Sequence, residues 1–142
     1  METTIVAAHK PERLGMVRLV GIAAAVIAAV AHVPPAPAHL REVPYIGLGF
    51  VVLTALCMTS ALILAVPRLR LAWRPAWGVA AVSCTIAVAA YLLSRSVGLP
   101  GMSDDIGHWT EPLGLLSICS ETVVVLAAVV SLRRVRSPVR VS

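Results

Sequence analysis

Tyr45–Val66 reads YIGLGFVVLTALCMTSALILAV, without one charged side chain. A helix rising about 1.5 Å per residue carries a run of this length across a hydrocarbon core of about 30 Å. Three further apolar runs lie on either side of it: Leu19–Val33, Ala76–Leu93 and Leu113–Leu132. Each is near the roughly 20 residues that a helical span needs. The spans are expected near residues 16–33, 45–66, 76–97 and 112–132. The fold expected is all-α: a four-helix transmembrane bundle of up-down topology, in one domain over residues 1–142.

Composition agrees. Apolar residues make up 58% of the chain and charged residues 13%, with a mean hydropathy of +0.89. A soluble domain carries about a quarter of charged residues.

The charges that remain are sorted by loop. Lys10, Arg13 and Arg18 precede the first run, and Arg68, Arg70 and Arg74 separate the second from the third. Arg133, Arg134, Arg136 and Arg140 follow the fourth, and only Arg41 and Arg95 fall elsewhere. In a four-pass chain these three clusters share one side. The positive-inside bias makes that side the cytoplasm, so both termini are expected there. Glu42, Asp104, Asp105 and Glu111 occupy the two outer segments. The net charge of +5 therefore reflects topology and gives no sign of nucleic-acid binding. The location expected is the plasma membrane, and the arginine-rich tail is expected at its anionic surface.

The basic flank, apolar stretch and Ala36-Pro37-Ala38 of the first run also resemble a secretory signal, whose cleavage would leave three passes. The length of the stretch and the prolines crowding the cleavage site favour a retained span. Residues 1–14 are polar and are expected to form a short disordered or interfacial tail. Pro34-Pro35-Ala36-Pro37 is expected to stop the first helix and open a short outer linker. Gly98-Leu99-Pro100-Gly101 marks the turn after the third helix. Tyr45, Trp73, Trp77 and Trp109 fit an aromatic belt at the two membrane boundaries.

Small and mildly polar residues recur at helical spacing. Gly47, Phe50, Thr54, Cys57, Met58 and Ala61 form one stripe. Ala80, Ser83, Cys84, Ala87, Tyr91 and Arg95 form a second, and Gly114, Ser117, Ile118, Glu121 and Val125 a third. Such stripes face the bundle, where small side chains let helices approach closely. Cys57, Cys84 and Cys119 form no CxxC pair and read as small buried residues.

Glu121 is the sharpest single residue. A carboxylate more than two turns inside a span is costly, so it should face the bundle, be neutral or have a partner. Arg95 is one candidate partner. Alternatively, Arg95 reaches outward to Asp104, Asp105 or Glu111.

A second constellation lies on the outer face: His32, His39 and Glu42 from the first outer segment, and Asp104, Asp105, His108 and Glu111 from the second. Imidazole and carboxylate together can ligate zinc, copper or iron, so a divalent metal is the cofactor these residues could hold. No HxxxH or HExxH spacing supports it, and a hydrated polar rim explains the same residues. His108 and Glu111 point the same way only if residues 107–112 are helical. A haem held by His32 and His108 is disfavoured, because a bundle haem wants histidines within facing helices.

His32-x-Pro-x-x-Pro-x-His39-x-x-Glu42-x-Pro44-Tyr45-x-Gly47-x-x-Phe50 joins the first two runs. Ser94-Arg95-x-x-Gly98-Leu99-Pro100-Gly101 and Trp109-x-Glu111-Pro112-Leu113-Gly114 join the last two. Together they resemble a group of small four-pass membrane proteins of actinobacterial type. The resemblance implies fold and location and no particular reaction.

The function expected is that of a non-enzymatic integral membrane protein whose outer polar site binds a cation or a partner protein. A small proton- or cation-coupled transporter using Glu121 is the alternative, and a structural subunit of a larger membrane complex is a third. An enzyme is not expected, because no nucleophile–base pair or metal motif is legible. The partners expected are the lipid bilayer and either further copies of the chain or other membrane proteins, with no nucleic acid.

Overall fold

Prolines and apolar runs divide the chain into five α-helices, which the computed structural model describes over residues 10–135. They are α1 (Lys10–His32), α2 (Ala36–Glu42), α3 (Pro44–Ala65), α4 (Trp73–Ser96) and α5 (Pro112–Val135). Residues 1–9, Arg136 and Arg140 lie outside the described residues. No strand occurs among the described residues. Four helices are long and apolar enough to cross a membrane, within Gly15–His32, Pro44–Ala65, Pro67–Ser96 and Pro112–Arg133.

Several boundaries differ from expectation, the end of α5 at Val135 among them. Residues 10–14 belong to α1 rather than to a tail. The linker between α1 and α3 holds a short helix, α2, which the prolines permit. Pro35 precedes its first turn and Pro37 lies within that turn, where no amide hydrogen is needed. At the other end, a 3-10 turn over Pro67–Ala72 leads directly into α4, which starts three residues earlier than the apolar run. Pro75 sits in its first turn, where it costs no hydrogen bond.

Large aliphatic side chains sit on the outside of the helices, and small ones fill the centre. Leu19, Val30, Leu62, Val82, Ile86 and Leu126 are exposed. The buried core is built of small residues, chiefly Ala24, Ala25, Ala28, Ala29, Cys57, Ala61, Ala80 and Cys84, with Val124. Lipid-facing aliphatics around a close-packed alanine seam are what helix association in a bilayer requires, since lipid tails are as apolar as leucine. α1 and α4 both pack on α3 and α5. The end of α1 lies beside the starts of α3 and α5, through His32 with Phe50 and Ser117.

At the opposite end Leu64, Ala76, Trp77, Ala127 and Ala128 form a second core cluster. Trp77 is buried there, with 4% of its surface exposed, and is not a boundary anchor as its position suggested. Trp73 is only partly buried. It donates to the Ile63 carbonyl at 3.1 Å, and its ring carries Arg18 at 4.4 Å and Arg70 at 5.7 Å. One residue from each of two basic clusters thus meets at this end.

α2 folds down onto α3 at Gly47. A Cβ there would overlap the backbone nitrogen of Leu40. Any larger residue would push α2 away, along with the His39 that it carries.

Candidate functional site

His32 is the last residue of α1, one helical turn beyond Ala28. Its Nδ1 lies 2.7 Å from the Ala28 carbonyl. A carbonyl only accepts, so Nδ1 carries the hydrogen, and Nε2 is left as an acceptor in the neutral ring. Nε2 faces Ser117 Oγ at 3.3 Å and Glu121 Oε1 at 3.4 Å. Ser117 and Glu121 are one turn apart on α5, and Ser117 Oγ donates to Glu121 Oε1 at 3.0 Å.

Glu121 is completely buried and His32 is 5% exposed. The second carboxyl oxygen, Oε2, has no hydrogen-bond partner. Val124, one turn further along α5, belongs to the same core cluster as Cys57 and Cys84, whose sulfurs are 3.8 Å apart. His32, Ser117 and Glu121 are therefore a polar island on an apolar seam.

His39 repeats the His32 arrangement on α2, with Nδ1 on the Pro35 carbonyl at 2.8 Å. The two imidazoles flank the Phe50 ring at centroid distances of 5.1 and 5.0 Å.

Arg95 does not reach Glu121. It turns outward, the second of its two expected routes. Its guanidinium binds Asp105 Oδ1 at 2.7 Å and Glu111 Oε2 at 2.5 Å, and it stacks over Tyr91 at 5.1 Å. Ser94 Oγ holds the other Asp105 oxygen at 3.1 Å, and the Gly107 amide donates to the Arg95 carbonyl at 2.9 Å. The end of α4 thus ties down the whole 97–111 connection. Gly98 starts that connection with φ +81°, a conformation that side chains disfavour.

Between these two clusters lies a cavity of about 750 Å³. α3 and α4 touch at Cys57 and Cys84. Towards the His32 end of the bundle they part, and residues 45–56 of α3 and 83–95 of α4 line the space between them. Leu53, Leu56, Ile86 and Ala87 make the walls apolar. His32 and Ser117 form its floor, while His39, Arg95, Asp105, His108 and Glu111 line its mouth. The volume falls in the range of small-molecule pockets, about 300–1,000 Å³.

The expected outer constellation is thus divided. His32 is a buried floor residue rather than part of a rim. His39, Asp105, His108 and Glu111 face the cavity, whereas Glu42 and Asp104 are exposed and do not line it. Residues 107–111 are not helical, so His108 and Glu111 do not form a helical pair. Among the described residues, no three His, Cys, Asp or Glu side chains gather as a metal site.

The pairing of His32 with Glu121 was not legible in the sequence, since 85 positions separate His32 from Ser117. The only signal was the shared face of Ser117 and Glu121. Comparison with known proteins adds nothing to this geometry: no protein-family model, curated protein or solved structure matches the chain.

Proposed function

We propose that this chain is a non-enzymatic protein of the plasma membrane that binds a small organic ligand from the extracytoplasmic side, in the cavity between α3 and α4. The observation that carries this reading is the cavity itself: apolar walls, a polar mouth and a floor of buried polar groups. Apolar enclosure with a few convergent polar atoms is the usual form of a small-molecule site. In this reading the four spans run up and down, with both termini cytoplasmic. The three basic clusters and the meeting of Arg18 and Arg70 at Trp73 support that orientation. A metal ligand is less well supported, because no three-ligand group exists among the described residues.

A second reading, a proton-coupled carrier, has its own observation. Glu121 is an ionisable group with no exposed surface, next to the floor of an open cavity. Buried carboxyls in spans mark proton and ion pathways.

The test of binding is photolabelling in lipid nanodiscs with a benzophenone of drug size. Saturable adducts are expected on residues 49–56 and 83–91. Gly49 lines the cavity and has open space around an added Cβ, so Gly49→Phe should fill it and remove the saturable labelling. Labelling spread evenly over lipid-facing Val82 and Leu126, and unaffected by that substitution, would refute the site.

A further inference from the structure

We infer that the cavity takes a monovalent organic cation with an apolar body, in exchange for one proton held by the His32–Ser117–Glu121 cluster. This rests on the binding reading above and deepens it by naming the class of ligand.

His32 Nδ1–H is committed to Ala28, so the neutral ring offers Glu121 only a lone pair. The Ser117 hydroxyl has one hydrogen, and it goes to Glu121 Oε1. With no further proton the cluster carries one negative charge. That charge would rest on a fully buried carboxylate with a single donor and an orphaned oxygen, an arrangement that a membrane interior penalises strongly. One added proton between Oε1 and Nε2 makes the cluster neutral overall, whichever atom holds it.

Among the described residues the surroundings supply no other compensation. α3 and α4 present the thiols Cys57 and Cys84 to this core. α2 presents His39, and the 97–111 connection presents Asp105, His108 and Glu111 to the cavity. Among the described residues Arg95 is the one Lys or Arg lining the cavity, and two carboxylates already match it. That triad carries a net charge of −1. The cavity therefore repels anions and lacks a positive charge to offset an unprotonated Glu121.

A cation seated on Ser117 and His32 would supply that charge. Its arrival lets the cluster release its proton: protonated cluster plus cation gives unprotonated cluster with bound cation plus one free proton, and charge balances. Phe50 and Tyr91 line the same space, with Phe50 already flanked by His32 and His39 and Tyr91 by Arg95, so the guest meets them at their edges. The apolar walls select an apolar body over a hydrated ion, and the gap between α3 and α4 lets such a molecule enter.

The experiment is titration calorimetry of the full chain in phosphatidylcholine nanodiscs, using tetraphenylphosphonium and uncharged triphenylphosphine oxide as probes. Two buffers of different ionisation heat give the proton count. The expected result is about one proton released per tetraphenylphosphonium bound, with affinity rising up to about tenfold per pH unit where the cluster titrates. Glu121→Gln should abolish both the release and the pH dependence. The wild-type proton count stands even if that variant fails to fold. Tetraphenylphosphonium binding without proton release would overturn the exchange and leave the pocket intact. Binding of the oxide alone would overturn the cationic class. Absence of binding by either probe would overturn the pocket reading along with this one.

Discussion

His32→Leu, Glu121→Leu and the double variant form a cycle whose outcome the geometry anticipates. Removing His32 leaves Glu121 with the Ser117 hydroxyl alone and with an oxygen already unpartnered. A buried polar group stranded in this way costs about 1–3 kcal/mol. Removing Glu121 is milder, because Ser117 can then turn its hydrogen to His32 Nε2, 3.3 Å away. That variant should cost about 1 kcal/mol, the low end of the same range. The double variant strands neither partner, so it should be less damaged than the sum of the two. Coupling energies between polar partners in membrane bundles average about 0.6 kcal/mol and reach about 1.7. The 3.4 Å contact and complete burial of Glu121 place this pair in that interval. Glu121→Gln should stay within about 1 kcal/mol of wild type, since its amide still accepts from Ser117 and can donate to Nε2. The assay is reversible unfolding in mixed micelles by titration with a denaturing detergent. Coupling indistinguishable from zero, with His32→Leu no worse than Glu121→Leu, would refute the pairing.

Further outcomes follow from other contacts. A Cβ on Gly21 would overlap the Trp77 ring and lie 3.1 Å from the Ala127 Cβ. Gly21→Ala should therefore lose about 1–3 kcal/mol to overpacking, less the roughly 1 kcal/mol gained in helix propensity. Gly78→Ala, whose Cβ meets nothing within 4 Å, should be neutral or stabilising in the same detergent-unfolding assay. Arg95→Met frees Asp105 and Glu111 and should speed amide exchange at Gly107 by an order of magnitude, consistent with about 1.4 kcal/mol of lost local protection. A membrane-permeant maleimide should modify exposed Cys119 in the folded protein. Cys57 and Cys84, both buried, should react only on unfolding, as mass spectrometry would show.

What the sequence made legible follows from what sets each feature. Span existence depends on length and apolarity, and Tyr45–Val66 shows both. Its helix runs from Pro44 to Ala65, within a residue of expectation at each end. The inward stripes were readable because 3.6-residue spacing places Cys57 with Ala61 and Ala80 with Cys84, and all four are buried. Met58, in the same stripe, is exposed, because one residue step turns it about 100° away from the buried Cys57. The α2 helix was hidden by its prolines, which end a helix from within and start one equally well. Trp77 resembled a boundary anchor because tryptophan favours both interfaces and cores. Only the missing side chain of Gly21 makes the space that buries it. The partner of Glu121 was not legible at all. Arg95 had the charge, but it lies in the last turn of α4, where acids from the connecting segment are closer. His32 had no charge to announce it, and only the contact of α1 with α5 brings it there.

The most direct test of the cavity is cysteine accessibility. Gly49→Cys, Ala90→Cys and Ser117→Cys, each in a chain otherwise free of cysteine, would be exposed to a charged, membrane-impermeant thiosulfonate on intact cells. The account predicts modification of all three from the extracytoplasmic side, slowest at Ser117 on the floor, while Val82→Cys on the lipid-facing surface stays unmodified. Protection of Ala90→Cys and Ser117→Cys, to the same degree as Val82→Cys, would show that no such cavity opens to the outer face.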